Sequence, residues 1–134
     1  MTITLADTSI WVSYLRHGSG HPWGGELQAA LDDGNLLMCG PVVAELLAGT
    51  GDRDRDRLGA SLHALGWADF GRREWIAAGD LAARLRSSGQ TVALTDIEIA
   101  VAALSADARL LTADTDFERI ARLEPRLHLD LVVR

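Results

Sequence analysis

The sequence predicts an α/β domain with a mainly parallel sheet, and three observations carry that expectation. Short apolar runs alternate with helical stretches along the 134 residues, the order that lays helices on the faces of a parallel sheet. Two of those runs, at 3–6 and 109–112, lead directly into aspartates: Asp7 after the first, Asp114 and Asp116 after the second. Parallel sheets of this kind bind ligands beyond the carboxyl ends of their strands, so these acids fall where a site is expected.

The elements follow in order. A strand at 3–6 ends at Asp7, and a helix over 8–15 begins with Asp7 or Thr8 as its cap, placing Trp11, Val12 and Leu15 on one side. His17-Gly18-Ser19-Gly20-His21-Pro22 is rich in chain-breaking residues and reads as a loop. A helix at 26–31 and a strand at 35–39 come next, and Pro41 sits in the first turn of a helix over 42–48, where proline is tolerated. An amphipathic helix spans 52–65, a short strand lies near 67–70, and a helix over 72–85 stops at Ser87-Ser88-Gly89. Thr95-Asp96 opens a helix reaching 106, and the strand at 109–112, a helix at 116–121 and a strand at 128–133 close the chain. Without repeats, low-complexity tracts or linkers, residues 1–134 are expected to form one domain.

Composition narrows the function. A hydrophobic fraction of 48% supports a core that needs no disulfide or metal staple. The single cysteine, Cys39, lies in the run Leu36-Leu37-Met38-Cys39 and is expected to be a buried small hydrophobe. The start Met1-Thr2-Ile3-Thr4-Leu5 lacks the basic and apolar regions of a leader, and the longest apolar run, 99–104, is far short of a bilayer span. A soluble cytoplasmic protein with no membrane association is therefore expected. Net charge is −6, which argues against indiscriminate nucleic-acid binding through bulk charge; cations held by clustered acids would still invert the local field. All 13 basic residues are arginine. The absence of lysine removes a Walker-type phosphate loop and a phosphoryl-accepting receiver domain, which relies on a strand-end lysine.

Two further acids stand out. Asp96, with Glu98, opens a helix that is apolar nearly all round and so belongs in the interior. Glu45 interrupts the apolar Val42-Val43-Ala44-Glu45-Leu46-Leu47-Ala48, where a carboxylate is costly unless paired, protonated, metal-bound or turned outward. Each acid has an ordinary reading: Asp7, Asp96 and Asp116 as helix caps, Glu45 on an outward edge, Glu98 as a solvated first-turn acid. Together, acids at an interior-facing edge need counter-charge, and in local sequence only Arg109 is near any of them. A hard divalent cation answers the need better. Magnesium takes oxygen ligands, and a metal so held activates water and stabilises charge on a phosphoryl oxygen, the chemistry of phosphodiester cleavage.

The sequence around these acids resembles the PIN-domain family, in particular the VapC-type toxins of toxin–antitoxin pairs. The resemblance rests on Asp7-Thr8-Ser9, on Val43-Ala44-Glu45-Leu46-Leu47-Ala48-Gly49, on Thr95-Asp96-Ile97-Glu98-Ile99-Ala100 and on the stretch from Leu111 through Asp114 and Asp116 to Ile120. It implies a Rossmann-like PIN fold and cleavage of RNA with Mg2+, or Mn2+ as an alternative ion. It also implies a cognate antitoxin protein that blocks the site, and a homodimer. Asp7 and Asp96 match the principal metal-binding aspartates, Glu45 the third acid, and Asp114 or Asp116 the fourth; Glu98 matches nothing in the shared pattern. Ser9 or Thr95 could orient a ligand or water. The competing reading is a catalytically inactive PIN-fold protein-binding module, against which the intact acids count.

Other features carry weaker expectations. Trp11, Trp23, Trp67 and Trp75 are expected mostly in packing, with Trp11, Tyr14 and Leu15 a possible groove for an apolar antitoxin segment. Arg53, Arg55 and Arg57 alternate with Asp52, Asp54 and Asp56 as a self-neutralised solvated face. Arg72, Arg73, Arg84 and Arg86 are less neutralised but read as a plain surface helix. The four histidines show no zinc spacing.

Overall fold

A computed structural model describes residues 2–20 and 22–132. The elements are β1 (Thr4–Ala6), α1 (Thr8–His17), a 3-10 turn (Gly18–Gly20), α2 (Pro22–Asp32), β2 (Leu36–Met38), α3 (Gly40–Ala48), α4 (Asp52–His63), β3 (Gly66–Trp67), α5 (Arg72–Ser87), α6 (Leu94–Ser105), β4 (Arg109–Thr112), α7 (Phe117–Leu123) and β5 (His128–Leu131). The strands pair in the order β3-β2-β1-β4-β5, every neighbour parallel. This is the expected PIN-like sheet flanked by helices.

The chain builds outward from β1 in one direction through β2 and β3, then returns to add β4 and β5 on the other side. The crevice between β1 and β4 is therefore the topological switch point. Leu5 sits opposite Leu110 and Ala6 opposite Leu111, and the Asp7 N–H donates to the Leu111 carbonyl at 3.0 Å. The sequence immediately after both central strands is thereby drawn to one edge.

Both central strands bury nearly all of their residues because both of their faces are covered. Leu5, Leu110, Leu111, Ile10, Phe117 and Ile120 are fully buried. Helix α6 runs through this core with Ile97, Ile99, Ala100, Val101, Ala102 and Ala103 all buried, as its apolar sequence requires. A helix so enclosed cannot turn about its axis without exposing apolar surface.

Several expectations are corrected. Helix α1 buries Ile10, Trp11 and Ser13, while Leu15 is 47% exposed. Trp11 is inside the core, edge-on to Tyr14 at 6.0 Å, so of the three residues of the expected groove Trp11 is withdrawn from the surface, Tyr14 is half-buried and Leu15 is exposed. Helix α2 starts at Pro22, four residues early, despite Gly24 and Gly25 in its first turns; a side chain at Gly24 would collide with the Gly18 carbonyl, so packing selects what propensity disfavours. His21 and Val133 lie outside the described residues.

Trp67 and Trp75 are surface residues, Trp75 edge-on to Phe70 at 4.8 Å. Helix α3 buries only Val42 and Leu46, and Glu45 is exposed. An exposed carboxylate there carries no burial cost. The Asp/Arg face of α4 is as expected, with exposed pairs Arg55–Asp52 and Arg57–Asp54.

Candidate active site

Asp7 is buried directly beyond β1 and caps α1. Its Oδ1 accepts from the Ser9 hydroxyl at 2.6 Å and the Ile10 N–H at 3.3 Å, and its Oδ2 accepts from the Thr112 hydroxyl at 2.7 Å. Burial pushes the Asp7 carboxyl above its ordinary value of 3.8, the three donors oppose the rise, and the charge of Asp114 adds to it.

Thr112, the last residue of β4, is fully buried. Its hydroxyl donates to Asp7 and accepts the Asp114 N–H at 2.9 Å, while Ser9 Oγ accepts the Ala113 N–H at 3.1 Å. Asp114 Oδ1 then accepts the Asp116 N–H at 2.9 Å. The loop between β4 and α7 is thus folded onto the start of α1 by side chains, which sets both aspartates at the rim of the crevice. Removing the hydroxyl while keeping its shape, as in Thr112→Val, strands the buried acceptor Asp7 Oδ2 and the Asp114 N–H, and loosens Asp7. The expected cost is about 1–3 kcal/mol, read as a lower urea midpoint at unchanged slope; a midpoint equal to the parent's would show that these bonds carry no stability.

Asp96 occupies the first turn of α6. The cap is Ala93 rather than Thr95 or Asp96, and it makes no side-chain bond. Asp96, Asp114 and Asp116 each present a carboxylate oxygen, all within 4.8 Å of one another. Partial burial is the main reason the Asp96 carboxyl is pushed up to about 6; the charges of Asp114, Glu45, Asp7 and Asp116 follow. Of the six acids singled out in the sequence, four therefore act on a fifth, Asp96, and Glu98 does not. Asp7 and Glu45 are not members of the tight trio: Asp7 lies buried below it, and Glu45 is held from the side by the Thr8 hydroxyl at 2.6 Å.

Glu98 is raised by its own burial and is not in the trio. Cys39 is buried with its thiol pushed up to about 11, chiefly by desolvation, so it stays a neutral packing residue. Arg109 is not the counter-charge. It begins β4 at the opposite edge of the sheet, where it pairs with Asp130 at 2.9 Å and donates to Thr4. Among the described residues the cation paired with these acids is Arg119, 3.4 Å from Asp116 and anchored on the Thr91 carbonyl. Its spacing of three residues from Asp116 on a helix was the available signal. Thr112 was also missed, because its partners depend on a strand pairing across 105 residues.

A cleft of about 750 Å³ lies elsewhere, lined by Arg73, Asp80, Arg84, Glu124, Arg126 and His128 among others. Glu124 is paired within it, reached by Arg126 at 2.6 Å and by Arg84 at 3.5 Å.

The donor set of the acid centre is all oxygen, crowded with like charge and only partly neutralised by one exposed arginine pair. Those properties fit a hard divalent cation. An all-parallel α/β domain with such a centre beyond its switch point is the class of protein that fold and site define.

The chain belongs to the PIN domain family, whose sequence profile matches residues 4–123. It is 32% identical over 126 residues to ribonuclease VapC11 of Mycobacterium tuberculosis (strain ATCC 25618 / H37Rv), covering 89% of this chain and 92% of that protein. The VapC ribonuclease Mb1587 of Mycobacterium bovis gives the same figures. Among solved structures, VapBC2 from Rickettsia felis bound to a promoter DNA fragment matches with a TM-score of 0.78 at 22% identity, over 98% of this chain and 100% of that one. DNA-bound VapBC from Salmonella typhimurium matches with a TM-score of 0.77 at 20% identity, over 97% and 98%. These two are likenesses of fold.

Proposed function

We propose that this protein is a metal-dependent endoribonuclease of the VapC type, the toxic member of a toxin–antitoxin pair. The observation that carries the reading is the convergence of Asp96, Asp114 and Asp116 within 4.8 Å, with Asp7 and Glu45 adding to the same field. The kinship with VapC ribonucleases over most of the chain supplies the substrate class, RNA.

Asp96, Asp114 and Asp116 would hold a magnesium ion, with Asp7 and Glu45 contributing from below and beside; manganese suits the same oxygen ligands. When bound, the ion supplies Lewis-acid stabilisation of phosphoryl oxygen and lowers the pKa of water. The chain's own residues do the rest. Thr112 and Ser9 fix Asp7 and the loop carrying Asp114. Arg119 sits beside Asp116, where it offers a guanidinium to an RNA phosphate. A cognate antitoxin is the natural protein partner, since the solved relatives are VapBC assemblies. One PIN domain over 1–134, a homodimer and a cytoplasmic location complete the reading.

The test is RNA cleavage by the purified chain. Cleavage is expected with magnesium, lost in EDTA and restored by excess magnesium. Cleavage that persists undiminished in EDTA would overturn the metal-dependent mechanism.

A further inference from the structure

Glu45 is the outlier of the acid centre. It sits on the exposed side of α3, outside the tight trio, and its flexible side chain lies near enough for its charge to raise the carboxyl of Asp96. An unrestrained glutamate in that position would turn away into water, since rotamer freedom alone favours its release by about 1–2 kcal/mol. It does not turn away. The Thr8 hydroxyl donates to Glu45 Oε1 at 2.6 Å, across 37 residues of sequence.

Thr8 is itself placed with little freedom. It follows Asp7, which is locked by three donors, and it is the first residue of α1. The bond therefore references Glu45 to the most rigid acid of the site. It also occupies one carboxylate oxygen and leaves Oε2 without a hydrogen bond among the described residues. A charge-assisted hydroxyl bond of this length is among the stronger kinds.

We propose that Thr8 is a positioning residue that holds Glu45 at the acid centre, presenting its second oxygen to the bound cation. The proposal rests on the metal-centre reading above. It goes further by assigning a role to a residue that helix formation alone would explain as an ordinary first-turn threonine.

The experiment compares Thr8→Val, which keeps shape and loses the donor, with Thr8→Ser, which keeps the donor. Manganese binding is measured by titration calorimetry and RNA cleavage as a function of magnesium; thermal melting confirms that each variant is folded. Thr8→Val is expected to weaken manganese binding about tenfold, the lower end for loss of a ligand-orienting partner, and to need correspondingly more magnesium while approaching the parent rate at saturation. Thr8→Ser should stay within about twofold of the parent, as expected if the donor rather than the methyl matters. Combining Thr8→Val with Glu45→Gln should add nothing to Glu45→Gln alone, because the two act through one contact. Parent-like manganese affinity in Thr8→Val, or full additivity with Glu45→Gln, overturns the role of Thr8. Asp96→Asn run in parallel separates the two levels. If it loses manganese while Thr8→Val does not, the centre stands and the tether falls. If both bind as the parent does, both fall.

Discussion

Asp96→Asn raises the melting temperature of the cation-free protein while removing most of its RNA cleavage. The Asp96 carboxyl is pushed up to about 6 from 3.8 by partial burial and by four neighbouring acids. A raised folded-state value means that ionisation opposes folding: the favourable contribution is complete below about pH 4 and is lost as the pH rises through about 6. At neutral pH the parent therefore carries a destabilising charge that asparagine lacks. Asp96 remains partly exposed, so solvent screens much of the repulsion, and a gain of about 1 kcal/mol, or about 3 °C, is expected. Cleavage should fall by at least about 10²-fold, the equivalent of about 3 kcal/mol in the barrier. Magnesium should stabilise the parent and leave the variant's melting curve unmoved. Calorimetry with and without magnesium at pH 7, beside a cleavage assay, reads all three. An unchanged or lower melting point in the cation-free variant would show that the acids do not repel one another there.

Phe117→Ala is expected to have the largest effect on stability. Phe117 is the first residue of α7 and fully buried, with Ile120 one turn further on and Leu110 and Leu111 in the same core. Truncating a buried phenylalanine costs about 3–5 kcal/mol, transfer and cavity terms together, a large part of a stability of about 5–15 kcal/mol. The melting temperature should drop by about 10 °C or more. Phe117→Leu, which retains most of the volume, should cost less than about 1.5 kcal/mol. The chain enters Phe117 directly from Asp116, so cleavage per folded molecule should fall as well. A melting point within about 3 °C of the parent would mean that the core does not close on this ring.

How much of this was legible beforehand differs by element. β1, β4 and α6 could be read directly, because strands and helices covered on all sides are written as continuous apolar runs. Asp7 and the Asp114/Asp116 pair followed from strand ends and needed no knowledge of side-chain geometry. Glu45 was legible as an anomaly, and of the readings left open the outward-facing one holds, since a nine-residue helix of apolar residues still leaves one side to solvent; here Ala44, Glu45 and Ala48 lie on it. The start of α2 was hidden because Pro22, Gly24 and Gly25 are breaker signals that tertiary packing overrides. The hydroxyl bonds of Thr8 and Thr112 were not legible. They join residues 37 and 105 positions apart, and no local periodicity encodes such a pairing.

Counting acceptor positions on Asp7 yields one last consequence. A carboxylate has about four lone-pair sites, and three of those on Asp7 are taken by Ser9, Ile10 and Thr112. One is left over. On the proposed reading, an incoming ion would claim a single coordination position from Asp7 and no chelating grip. Because that position is held by three donors already in place, loading the site would require almost no rearrangement there.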